Sequence, residues 1–168
     1  QKNAYEQVPL ASLTKLMAVQ TVLSVKSPDT PVQITRSDLN PSGDSGLRVG
    51  QTVKLGDLIK FALVASSNDA MEAAAASLGE GSINKMNAAA AAEGLQQSYF
   101  LNPTGLDVSA STAGAYGSAL DVAHLVEKLL KEHGSIFKAT IKAPMPNGKS
   151  GKGAVSTIAP LWDMHGLI

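Results

Sequence analysis

At 168 residues, 44% of them hydrophobic, the chain has the length and apolar content for one domain with a real core. Its 14 Lys and Arg balance 14 Asp and Glu, and a formal net charge of +0 leaves no field to draw in nucleic acid or an anionic membrane surface. There is no Cys, so the fold holds without disulfides, and no apolar run approaches the roughly 20 residues that cross a bilayer.

Pro9 stands just before the first periodic segment, where a chain often turns into a helix. From Leu13 through Leu16, Met17 and Gln20 to Leu23 or Ser24 the mostly apolar spacing predicts a helix, central and largely buried. Ser27-Pro28-Asp29-Thr30-Pro31 ends it, and Val32 to Thr35 reads as a short strand. Residues 36 to 52 read as loop, with turns at Pro41-Ser42-Gly43 and Val49-Gly50. Asp57 opens the next helix, which stops near Ala65. Ser66 to Asp69 are small polar residues suited to turns, with Asn68 or Asp69 as the expected cap of an alanine-rich helix from Ala70 to Leu78. Ser82 is the expected cap of a helix over 83–93, stopped by Gly94. Tyr99 to Leu101 is extended before the turn Asn102-Pro103-Thr104-Gly105. Ser118 and Asp121 have capping-box spacing ahead of the cleanest amphipathic stripe, Val122, Leu125, Val126, Leu129 and Leu130, which reads as core-facing. Lys131 and His133 sit in its last turn and Gly134 closes it. Ile136 to Ile141 is expected as a strand and residues 143 to 154 as exposed loop. The sum is a predominantly helical chain with short strands and no boundary between independent domains.

Two clusters carry chemistry. The first is Ser12-Leu13-Thr14-Lys15. A serine hydroxyl is a poor nucleophile until a neighbour takes its proton, and residues three apart at a helix start share a face. Ser12 and Lys15 therefore set an amine beside a hydroxyl without any histidine. The second, Ser66-Ser67-Asn68, offers another hydroxyl and an amide to the same pocket, which points to an acyl-transfer serine enzyme. Taken singly, Ser12 reads as an N-cap, Lys15 as a solvent-facing helix residue, and Ser66 and Asn68 as turn and cap residues. Ser67 faces away, with packing or a local hydrogen bond as its part. Asp69 reads as a cap, Asp107 as a turn former, Glu72, Glu80 and Glu93 as helix surface or helix ends, and Phe100 and Trp162 as core anchors. His124 and His133 lie nine apart on one helix and His165 stands alone, so no metal set is evident and no cofactor is expected.

Pro9-Leu10-Ala11-Ser12-Leu13-Thr14-Lys15-Leu16-Met17 is similar to the nucleophile helix of the penicillin-binding D-alanyl-D-alanine carboxypeptidase and endopeptidase family. Arg48-Val49-Gly50-Gln51-Thr52-Val53 and Asp57-Leu58-Ile59 lead, as in that family, into Ser66-Ser67-Asn68-Asp69-Ala70. Met86-Asn87, Phe100-Leu101-Asn102-Pro103-Thr104-Gly105-Leu106-Asp107 and Tyr116-Gly117-Ser118-Ala119-Leu120-Asp121 are typical too. The residue between proline and alanine in Pro9-Leu10-Ala11-Ser12 resembles the endopeptidase branch.

The resemblance implies an α/β (α+β) domain with the fold of serine β-lactamases and DD-peptidases, of which residues 1–168 are the central, mainly helical part. It implies Ser12 as nucleophile, Lys15 as proton acceptor, Ser66 as proton relay or leaving-group positioner, and Asn68 as the group that binds the substrate amide and holds Lys15. The implied substrate is a peptidoglycan stem peptide ending in D-Ala-D-Ala, cleaved through an acyl-enzyme, with β-lactams acylating the same serine. The implied location is the bacterial cell envelope, periplasmic or extracellular, with no membrane attachment visible in the chain. The family's third motif, K-T-G or a close variant, would fall just beyond Ile168 by the register of Pro160-Leu161-Trp162-Asp163, and Lys149-Ser150-Gly151 is a superficial match to it. The family's strands before the nucleophile helix are largely missing as well, so sheet-facing hydrophobics invite association with complementary strands from another chain. Two other readings stay open at this point: a non-catalytic peptidoglycan- or β-lactam-binding fragment or module, and a β-lactamase-like hydrolase, which needs a deacylating base.

Overall fold

The computed structural model describes residues 2–39 and 46–137, together with the strand backbones at 142–143 and 154–155. The chain is built around one buried helix, α1 (Thr14–Val25), preceded by a 3₁₀ turn over Ala11–Leu13. A helix that is apolar nearly all round belongs in an interior, and Met17, Ala18, Val19 and Val22 of α1 have no exposed surface. Around it pack α3 (Asn68–Ala76), α4 (Ser82–Ala92) and α5 (Ala119–Phe137), while α2 (Leu55–Ala65) lies along α3. Alanines at 70, 73 and 74 on α3 let that helix approach closely, and Leu58, Ile59, Met71, Met86 and Leu129 close the core. Among the described residues no helix is long and apolar enough to cross a membrane.

The strands are short. β1 (Val8–Pro9) and β4 (Tyr99–Phe100) flank β5 (Ala115–Gly117) in an antiparallel sheet, and β2 (Pro31–Gln33) pairs with β3 (Thr52–Lys54) as an antiparallel hairpin. Neither β3 nor β5 stands out in the sequence, because three residues are too few for alternation to show and the pairing partners of β5 are distant in the chain. β6 (Lys142–Ala143) and β7 (Ala154–Val155) pair antiparallel beside α2, within and next to a segment expected to be exposed loop. The expected turn at Pro41-Ser42-Gly43 lies outside the described residues.

Several helix ends differ from expectation, each for a local reason. α2 opens at Leu55 rather than Asp57, because the N–H groups of Leu55 and Gly56 donate to the carbonyls of Thr30 (2.9 Å) and Pro28 (2.8 Å), so no side-chain cap is needed. Glycine eases this approach, since a Cβ on Gly56 would sit 3.0 Å from the Cβ of Pro28 and push it back by a few tenths of an ångström. Gly81, left-handed at φ 72°, takes the N-cap place expected of Ser82, which becomes the first helical residue of α4. Ser118 caps α5 by accepting from the Asp121 N–H at 3.1 Å, but the reciprocal half of the box is missing. The Asp121 carboxylate instead accepts from the Gln97 N–H and the Ser98 hydroxyl, both at 2.8 Å, and ties α5 to the chain leaving α4.

α5 does not close at Gly134. It bends at His133 (φ −132°, ψ 27°) and runs on through Phe137, so Ile136, expected to begin a strand, is delivered to the core at 4% exposure. Leu125 and Leu129 form the inward line of the stripe, and Val122, Val126 and Leu130 are half-buried beside it. Leu125→Ala removes a side chain that is 4% exposed and should destabilise the fold by about 2–5 kcal/mol. A chemical-denaturation midpoint unmoved by the substitution would refute this inward face.

Candidate active site

The site begins where β1 ends. The Leu10 N–H donates to the Ala115 carbonyl at 3.0 Å, anchoring the chain before it turns. Ala11 then adopts φ 46°, a conformation unfavourable for a residue with a Cβ, and the 3₁₀ turn carries Ser12 to an exposed position. Ser12 is not a helix cap, since no side-chain cap bond forms at the start of either the turn or α1. Lys15, three residues on, is not solvent-facing either: only 2% of it is exposed.

The Lys15 Nζ donates to Ser12 Oγ at 3.0 Å, Asn68 Oδ1 at 2.8 Å and the Thr104 carbonyl at 3.2 Å. Three acceptors match an ammonium's three donors, which is what lets the group lie inside the protein. Ser12 Oγ accepts a second bond from Ser66 Oγ at 2.9 Å. A hydroxyl, an amine, a second hydroxyl and an amide oxygen thus form one continuous hydrogen-bonded chain, drawn from residues more than 50 positions apart in sequence.

The S-x-N segment divides its labour residue by residue. Ser66 ends α2 in the left-handed conformation (φ 55°), a turn that aims its hydroxyl at Ser12. Ser67, not Asn68 or Asp69, caps α3, accepting from the Ala70 N–H at 3.1 Å. With the cap supplied by its neighbour, the Asn68 side chain is released to reach Lys15. Of the three non-glycine residues with positive φ among those described, Ala11 and Ser66 both lie here, and strain of this kind collects where geometry is being imposed.

Sequence reasoning missed Thr104. Its contribution is a main-chain oxygen, which no side-chain pattern announces. The turn that delivers it is held by Asn102, whose Oδ1 accepts from the Thr104 N–H (3.2 Å), the Thr104 hydroxyl (3.0 Å) and the Gly105 N–H (2.7 Å). The Asn102 amide nitrogen donates onward to the Leu106 carbonyl at 2.7 Å. Asp107, expected as a turn former, is exposed just beyond this turn. Phe100 is a core anchor, 1% exposed, as its position suggests.

Glu72 also departs from expectation. It reads as helix surface, yet it is half-buried on α3. Burial pushes its carboxyl above the ordinary range, the negative charges of Asp38 and Asp69 push the same way, and the Lys15 charge opposes them. Glu93 does stand at the end of α4, where Lys128 of α5 lies 3.6 Å from its carboxylate. Among the described residues no group of three or more His, Asp or Glu side chains is arranged to hold a metal. Lys149, Ser150 and Gly151, and with them Trp162 and His165, lie outside the described residues.

The chain is 30% identical over 146 residues to a D-alanyl-D-alanine endopeptidase of Pseudomonas aeruginosa, covering 83% of this chain and 47% of the relative. It is 32% identical over 149 residues to a D-alanyl-D-alanine carboxypeptidase of Bacillus subtilis, covering 83% of this chain and 37% of that protein. It therefore spans about half or less of the length of these relatives. Its structure superimposes on penicillin-binding protein D2 of Listeria monocytogenes in the ampicillin-bound form with a TM-score of 0.76 and 27% identity, covering 95% of this chain and 66% of that one. The fold is that of the penicillin-binding proteins. With residues 1–149 matching the peptidase S11 family, D-alanyl-D-alanine carboxypeptidase, the chain belongs to that family of serine peptidases.

Proposed function

We propose that the chain is the central part of a catalytic domain that cleaves peptidoglycan stem peptides ending in D-Ala-D-Ala, as a carboxypeptidase or endopeptidase, and is acylated by β-lactams. The observation that carries this reading is the unbroken run Ser66 Oγ, Ser12 Oγ, Lys15 Nζ, Asn68 Oδ1. Ser12 Oγ attacks the scissile carbonyl, an O–C bond replaces the C–N bond, and the hydroxyl proton passes to Lys15 and on to the leaving nitrogen, with Ser66 as relay. Water then cleaves the ester and restores Ser12. With a β-lactam the broken C–N bond is in the ring, so the whole drug stays on the enzyme. Asn68 holds both Lys15 and the substrate amide. The substrate belongs to the cell wall, so the working compartment we propose is the bacterial envelope, periplasmic or extracellular.

The test is intact-mass analysis of the folded chain after incubation with ampicillin, followed by peptide mapping. The expected result is one drug mass per chain, carried by the peptide that contains Ser12. Folded protein that gains no mass would overturn acylation by this chain, and an adduct mapped elsewhere would overturn Ser12 as nucleophile.

A further inference from the structure

Glu72 has no part in the chemistry just described, yet it sits close to it. On α3 it lies four residues after Asn68, so the two share one face of the helix, a turn apart. That turn meets Lys15, because Asn68 Oδ1 is one of the acceptors of the Lys15 Nζ and α3 packs on α1. The charges that act on Glu72 come from three elements: Asp38 from the segment after β2, Asp69 from α3 itself and, most weakly, Lys15 from α1. Asp38 is 4% exposed and is held by its own bonds from the Thr35 N–H (2.6 Å) and hydroxyl (2.8 Å). Lys15 is the one cation in this group.

We propose that Glu72 is a positioning residue of this site, whose carboxylate acts across the α1–α3 packing to favour the ammonium form of Lys15, and so sets the pH above which Ser12 is acylated. The inference rests on the proposed roles of Ser12 and Lys15. A negative charge beside an amine stabilises its protonated form, and Lys15 can accept the Ser12 proton only when it is neutral. Ionised Glu72 therefore restrains the base, and removing its charge releases the base at lower pH. Burial together with two like charges makes Glu72 itself reluctant to ionise, which is the cost of placing a carboxylate here.

Glu72→Gln keeps the shape and removes the charge. Two readouts are compared in the wild-type chain and the variant. One is the pH profile of the ampicillin acylation rate. The other is the titration of the Lys15 amine, followed by NMR of the chain carrying isotope-labelled lysine and assigned by the loss of its signal in Lys15→Arg. In Glu72→Gln the Lys15 titration and the rising limb of the acylation profile should both move to lower pH by roughly half a unit to one unit. Acylation on the lower part of that limb should become about three- to tenfold faster. A purely structural role would slow the variant at every pH and leave the limb in place. Lys15 titration curves that coincide in the two proteins would overturn the proposal. The Lys15 titration is read without any drug, so a wild-type chain that forms no adduct counts against the Ser12 reading and leaves the Glu72 test intact.

Discussion

Ser12→Ala is expected to abolish the penicillin adduct completely while costing the fold only about 1–2 kcal/mol, the loss of one acceptor to the buried Lys15. The loss is complete because no other atom at that position can carry the acyl group. The cost stays modest because Ser12 is exposed, caps no helix, and bonds through its side chain to Lys15 and Ser66. In the variant Lys15 keeps the Asn68 and Thr104 acceptors, and Ser66, exposed itself, turns to water. Intact-mass analysis with ampicillin and a denaturation curve, run side by side, decide the matter. A persisting adduct would move the nucleophile elsewhere, and a collapse of the fold would make Ser12 chiefly structural.

Gly105→Ala should be the opposite case, harming fold and site together. Gly105 has φ 83°, and a Cβ there would run into the carbonyl carbon and oxygen of Ala11 and come 2.7 Å from Thr14 Oγ1. Ala11 has little room to retreat: it is strained at φ 46°, and its carbonyl accepts from the Thr14 N–H. We expect a loss of about 3 kcal/mol or more, from the left-handed backbone and the backbone collision together. The chain on either side of the collision carries Ser12 and the Thr104 carbonyl, so both would be displaced from Lys15. A misplacement of about 1 Å costs on the order of 100-fold in rate. Gly79→Ala is the internal control: its φ is 76°, but nothing lies within 4 Å of a Cβ there, so only the backbone penalty of about 1–2 kcal/mol should appear. Equal losses in the two variants would show that Gly105 is not held against Ala11.

The parts of this architecture that were legible in the sequence are those encoded by side chains close together in the chain. The buried central helix follows from the apolar run of α1, and the inward line of α5 from Leu125 and Leu129. Ser12 and Lys15 are one helical turn apart, so their meeting follows from spacing alone. Their meeting with Ser66 and Asn68 does not follow from spacing: across 50 and more positions, it is their matching chemistry and the resemblance to a family that bring the two clusters together. Helix ends escape the sequence where the backbone does what a side chain is expected to do, as at Leu55 and Gly81, and where a helix bends at His133 and runs on past Gly134. Glu72 was misread because a lone glutamate in an alanine-rich helix has no pattern that distinguishes a buried face from a wet one.

Two of the partners that hold Lys15 are side chains, and truncation of Ser12 or Asn68 to alanine erases one of them. The third is the main-chain oxygen of Thr104, which every amino acid at that position still possesses. Heritable variation therefore has no direct handle on it. Changes of side chain at position 104 leave the acceptor in being, and selection can reach it only through the neighbours that steer the turn, Asn102 with its bonded carboxamide and Gly105 with its missing side chain. Genetic sensitivity at this wall of the site is displaced from the residue that does the bonding to those that aim it.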